Sequence, residues 1–183
     1  MRDNKIVASI RDAIISAGLK DGMTISFHHH MRNGDYVLNM VMEEIAAMGI
    51  KGLTLNATAL FDIHMPLIDH IGNHVVSTIQ THYMAAGVGK AISQGILNNP
   101  VQFRTHGGRP NDIRLGRTPI DVAFIAAPTA DPMGNCTGKM GPSACGSLGY
   151  AFADAMFAKK VVVITDNLVP YPLTDFSISE NYV

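Results

Sequence analysis

Apolar residues recur along this chain with two different periods. Ile6, Val7, Ile10, Ile14, Ile15 and Leu19 fall at helical spacing and predict an amphipathic helix over 4–19. "MTISF" (23–27) alternates and predicts a strand. Asp35 then offers an N-cap to a helix whose face is Val37, Val41, Ile45 and Met48, closing near Gly49. The pattern repeats downstream. "LTLNA" (53–57) is a strand, a short helix follows Pro66, "HVVSTIQT" (74–81) is a strand, 86–97 a helix and "VQFRT" (101–105) a strand. "DVAFIAAP" (121–128) and "KVVVITD" (160–166) are nearly continuous apolar runs, as parallel strands covered on both faces require, with a helix predicted over 143–158 between them. Strands alternating with helices through short loops predict an α/β domain with a mainly parallel sheet. The tail "LVPYPLTDFSISENYV" (168–183) carries neither period and stops without completing an element, which predicts a cut inside a larger fold.

Composition narrows the class without naming a chemistry. At 183 residues, 47% hydrophobic and 16% charged, the chain can bury a sizeable core as one domain. A formal net charge of −1 gives no general attraction to nucleic acid or anionic membrane. No apolar run reaches the roughly 18 residues of a membrane span. Charges scattered through "MRDNKIVASIRDAIISAGLKDG" argue against a secretory leader. Cys136 and Cys145 have no zinc-like spacing, so a cytoplasmic protein with reduced thiols is expected.

Polar and glycine-rich segments follow three of the predicted strands: "HHHMRNGD" (28–35), "HGGRP" (106–110) and "TADPMGNCTGKMGPSACGSLG" (129–149). Ligands of open α/β sheets gather beyond the carboxyl ends of the strands, so a parallel sheet would open all three loops on one edge. In the first loop a metal would find His28 and His30 on one side, because extended chain turns His29 away, and would need a third ligand such as His106. No Cys/His pattern supports that reading, and no metal is expected. A polar turn whose imidazoles bind backbone carbonyls, or donors lining a pocket for an anion or carbonyl, both fit; the helix start at Asp35 favours negative charge. Gly107 and Gly108 allow close approach of a ligand to the backbone, beside Arg109, whose fork suits a carboxylate or phosphate. "GNCTGKM" is not a phosphate loop: its glycines are too close and Met140 stands where a magnesium-binding hydroxyl belongs. Cys145 at a helix start reads as a nucleophile or, more commonly for this residue type, as packing. Ser143 and Ser147 read as caps, and His64, His70, His74 and His82 carry no assigned role.

Taken together, "KDGMTISFHHHMRNGDYVLNMVMEEIAAMGIKGLTL", "HGGRP", "DVAFIAAPTADPMGNCTG", "SACGSLGYAFADA" and "VVVITDNLVPYP" resemble the citrate lyase α-chain family, the citrate CoA-transferase subunits, over nearly the whole chain and in order. More distantly, D-G-x-T and A-D-x-x-G-N look like α chains of family I CoA-transferases. The resemblance implies a three-layer α/β fold shared with sugar-phosphate isomerases. It also implies a reaction in which citrate displaces acetate from an acyl-carrier thioester, giving a citryl thioester that a separate β subunit cleaves. Expected partners are the β and γ (acyl-carrier) subunits, with the carrier's CoA-like prosthetic arm as substrate and no tightly bound cofactor.

By the same resemblance, residues 1–183 form a single transferase-like domain lacking a second one, and no residue here is the glutamate nucleophile. Glu180 in "SEN" resembles the Ser-Glu-Asn of CoA-transferase β chains but is not expected to be that nucleophile. His28, His29, His30, Arg32, Asn33, Gly34, His106, Gly107, Gly108 and Arg109 are the expected citrate or thioester donors. Gly134, Asn135, Ser143, Cys145 and Gly146 are the expected thioester loop. An acyl-CoA hydrolase and a non-catalytic CoA- or thioester-binding domain are the alternatives.

Overall fold

The computed structural model describes residues 4–28 and 34–183. In chain order its elements are α1 (Ile10–Ala17), β1 (Thr24–Phe27), α2 (Val37–Ala47), β2 (Leu53–Ala57), α3 (Leu67–Gly72), β3 (Val76–Thr81), α4 (Ala86–Ser93) and β4 (Gln102–Phe103). There follow α5 (Gly108–Arg114), β5 (Val122–Ala126), β6 (Thr129–Ala130), β7 (Cys136–Thr137), α6 (Gly149–Phe157) and β8 (Lys160–Ile164). Six strands form one sheet in the order β4-β3-β2-β1-β5-β8, and every pairing in it is parallel. β6 and β7 form a separate antiparallel pair. The α/β class with a parallel sheet is as the periodicity predicts.

Strand alternation sorts the side chains into two cores. Ile25, Phe27, Leu53, Leu55, Ile79, Val122 and Phe124 share one apolar cluster with residues of α1 to α4. Phe27 and Phe124 are register partners, and their rings stack 5.4 Å apart. The intervening positions face the other way: Ala123 packs with Ile113 of α5, and Ile125 with Ala151 and Ala155 of α6. The sheet is therefore the middle of three layers. On that second face Ser26, Asn56, Gln80 and Gln102 are successive register partners and make a polar row across β1, β2, β3 and β4. Asn56 Nδ2 donates to Gln80 Oε1 at 3.0 Å, and Gln80 Nε2 to Gln102 Oε1 at 3.2 Å.

Several elements are shorter than the periodicity implies. α1 begins only where Ser9 accepts from the Asp12 amide, which leaves Ile6 and Val7 exposed before it. Tyr36, not Asp35, occupies the N-cap position of α2, although Asp35 Oδ1 still accepts from the Val37 amide at 3.0 Å. His74 takes φ 60 in the turn before β3, so that strand loses its first two expected residues. Of the strand expected over 101–105 only Gln102–Phe103 pairs, and α5 was not anticipated at all. The helix expected from 143 starts at Gly149, leaving Ser143 and Cys145 in a loop. The tail, patternless in sequence, folds back on the small hairpin, where Cys136 and Ile178 form a bridge.

Candidate functional site

Strand order reverses at β1, between β2 and β5, so the crossovers on either side leave by opposite faces and open a crevice at the carboxyl edge. A cleft of about 220 Å³ lies there, lined by Gly34, Val37, Ala127, Ser143, Thr165 and Asp166. Ser143 Oγ donates to Asp166 Oδ1 at 3.0 Å, so this hydroxyl caps no helix. The start of α2 forms one wall and directs the positive end of its peptide dipoles to that edge. Behind it, the Phe61 amide donates to His64 Nδ1 at 2.9 Å. His64 Nε2 therefore carries the proton and donates to the Asp35 carbonyl, 3.3 Å away. His64, a residue without a role in sequence, props the helix start.

His28 follows β1 directly and is 2% exposed. His29, His30, Arg32 and Asn33 lie outside the described residues. His106 is exposed and sits on the same sheet edge, beyond β4. Its Nδ1 is 3.2 Å from Nε2 of His82, which follows β3, and the two rings meet edge to face. Tyr150 of α6 lies over both rings and donates its hydroxyl to the His106 carbonyl at 2.6 Å. Burial, then His106 and Arg109, push the His82 pKa down, which favours the uncharged imidazole.

The "HGGRP" segment is the start of α5 rather than an open glycine loop. Arg109 is 2% exposed and turned inward, away from the ligand-facing fork expected of it. Its Nη1 and Nη2 donate to the Asp154 carboxylate at 2.7 and 2.8 Å, and its Nε to Asn56 Oδ1 at 2.7 Å. Ser26 Oγ donates to the same carboxylate at 3.0 Å. Asn56, Asp154, His82 and Tyr150 were all missed in sequence. The available signal was Asp154 itself, a lone charge in the apolar helix "YAFADAMF", which burial obliges to find a cation.

The expected thioester loop is divided. Only Ser143 lines the cleft. Asn135 is held by the tail: its Nδ2 donates to Asp131 Oδ2 and Glu180 Oε2, while its Oδ1 accepts from the Glu180 amide. Gly134, at φ 99, passes so close to Val183 that a Cβ there would lie 2.7 Å from its side chain. The Cys145 and Gly146 amides both donate to the Gly138 carbonyl. Burial, and next the Asp35 carboxylate, push the Cys145 thiol up, the opposite of what a nucleophile at a helix start requires. A larger groove of about 700 Å³ runs along β8 between α1 and Leu168, away from the histidines. Among the described residues no group of three His, Cys, Asp or Glu is arranged for a metal, and no helix is long and apolar enough to cross a membrane.

Residues 3–183 match the family model described as "Citrate lyase, alpha subunit (CitF)". The citrate lyase alpha chain of Haemophilus influenzae is 47% identical over 182 residues, covering 100% of this chain and 36% of the relative. A Streptococcus mutans structure described as the citrate lyase α subunit in complex with citrate superposes with a TM-score of 0.97 at 52% identity, over 100% of this chain and 36% of that one. Glutaconate coenzyme A-transferase from Acidaminococcus fermentans shares the fold, with a TM-score of 0.70 at 17% identity, over 96% of this chain and 73% of that one. The chain thus spans about a third of the length of the citrate lyase relatives it matches.

Proposed function

The chain belongs to the citrate lyase α-subunit family, and from that premise we propose that it forms one half of a citrate CoA-transferase site. The reaction is exchange of acetate for citrate on an acyl-carrier thioester: an enzyme carboxylate attacks the acetyl thioester to give an acetyl-enzyme anhydride and free thiolate, and the thiolate attacks the enzyme acyl carbon and releases acetate. Citrate then attacks that enzyme thioester to give a citryl-enzyme anhydride and thiolate, and the thiolate attacks the citryl carbonyl and frees the enzyme carboxylate. Splitting the exchange in this way replaces one difficult step by easier ones. The attacking enzyme carboxylate comes from the second half of the transferase or from a partner chain, and the β and acyl-carrier subunits of a cytoplasmic complex are the partners.

One observation carries this reading. The parallel order brings His28 and the start of α2 to the carboxyl edge at the reversal at β1, with His82 and His106 on the same edge beyond β3 and β4. A polyanionic acid or a polarised thioester oxygen is the ligand that such a donor-rich edge suits. The citrate complex of the S. mutans relative supports the choice of acid.

The test uses the full-length chain with acetyl-carrier or acetyl-CoA, with and without citrate. Citrate-dependent acetate release with citryl-thioester formation is expected. Citrate-independent release would make the protein a thioester hydrolase, and binding without turnover would make it a recognition domain.

A further inference from the structure

We propose that His82 is a positioning residue that fixes His106 as the tautomer protonated on Nε2, so that His106 presents a neutral N–H donor to an acceptor oxygen of the bound acid. This deepens the transferase reading and rests on it for the identity of the acid, but not for the state of the imidazole pair.

The geometry permits only two arrangements of the shared proton. Nε2 of His82 and Nδ1 of His106 are 3.2 Å apart, so one nitrogen donates and the other accepts. The far nitrogen of His82, Nδ1, is buried and has no hydrogen-bond partner among the described residues. A buried N–H without an acceptor is rarer and costlier than a bare lone pair, so the His82 proton resides on Nε2 and points at His106. His106 Nδ1 must then accept, and its own proton is left on Nε2. That nitrogen has no partner among the described residues, and the His106 ring is exposed at the carboxyl edge. Arg109 opposes charge on His82 from α5, and Tyr150 holds His106 from α6 through its ring and through its hydroxyl bond to the His106 carbonyl. A neutral donor of fixed direction suits the carboxylate of an acid that must later be released, because a cation there would hold it more tightly.

The experiment uses the full-length protein carrying ¹⁵N-labelled histidine, with His106 assigned from the spectrum of His106→Gln. Above pH 8 the His106 signals should report the Nε2–H tautomer. His82→Phe should turn them into a tautomer mixture. His82→Gln, whose amide N–H can stand in for the ring Nε2–H, should restore them. In parallel, His82→Phe should raise the KM for citrate on the order of tenfold with a smaller change in kcat, and His82→Gln should recover most of it. The wild-type spectrum decides the tautomer even if His82→Phe does not fold. A wild-type His106 protonated on Nδ1, or one indifferent to His82→Phe, would overturn the proposal. So would a KM unchanged for every acid accepted. Turnover with an acid other than citrate, its KM raised by His82→Phe, would remove citrate and support the pair.

Discussion

Arg109 and Asp154 meet as a two-pronged ion pair, 2.7 and 2.8 Å long, between two helices and beneath the polar row of the sheet. Both side chains are almost without solvent contact, at 2% and 1% exposure. Asn56 and Ser26 complete the pair's hydrogen bonds from β2 and β1, so the one contact ties α5 and α6 to the centre of the sheet. His106 begins in the residues just before Arg109, and Tyr150 lies one turn before Asp154. The pair thus anchors the segments that carry His106 and Tyr150 to the sheet.

Removing either partner leaves a buried charge uncompensated. Arg109→Ala or Asp154→Ala should each destabilise the protein by about 3–5 kcal/mol. The double variant Arg109→Met/Asp154→Leu should be less destabilised than the two single effects added. Urea unfolding of the four proteins measures this; strict additivity would show that the two groups do not act together.

Asp131 should confer an acid-dependent share of stability. Burial alone would raise its carboxyl, but hydrogen bonds from the Leu173 amide, the Asn135 side chain and the Met133 and Asn135 amides outweigh it and hold the pKa below the ordinary value. A depressed carboxyl stabilises the fold above its unfolded pKa, and the gain fades as pH falls through the folded one. Asp131→Asn should therefore lower the thermal midpoint at pH 7, with the gap to wild type closing toward pH 3. A gap independent of pH would refute the assignment.

The two thiols should both be inert, for the same physical reason: burial and a neighbouring carboxylate. Burial, followed by Asp131, pushes Cys136 up to about 12, and Cys145 is raised by burial and Asp35. Iodoacetamide at pH 8 should modify Cys136 only on unfolding. Cys145→Ser should retain transferase activity within about threefold, since packing and not nucleophilicity is its role. A loss of a thousandfold or more would reinstate it as a nucleophile.

Gly141 fixes the loop that carries Ser143. It adopts φ 93, and an added Cβ would stand 2.7 Å from both the Pro128 carbonyl and Thr129 Oγ1. Gly141→Ala should cost at least about 1–3 kcal/mol from the backbone conformation alone. Thermal unfolding compared with Gly149→Ala, where a Cβ meets nothing, is the control.

What the sequence determined by itself is the layered α/β order. Burial on both faces leaves continuous apolar runs such as 121–128, and a helix covering a sheet leaves a period such as Val37, Val41 and Ile45. These local signals place the carboxyl edge and bring His28 and "HGGRP" to it. Element ends were less legible, because one cap or one left-handed residue, Ser9 or His74, stops a pattern that the apolar residues continue. Tertiary structure alone decided which polar groups face a ligand and which face each other. Arg109 looks like a free fork until Asp154, distant in the chain, arrives on α6 to claim it. His82 has no meaning until the register of β3 and β4 sets it against His106. Periodicity reports which face of an element is apolar. A buried charge or imidazole is instead governed by the partner that satisfies it, and that partner is chosen by the packing of elements far apart in sequence.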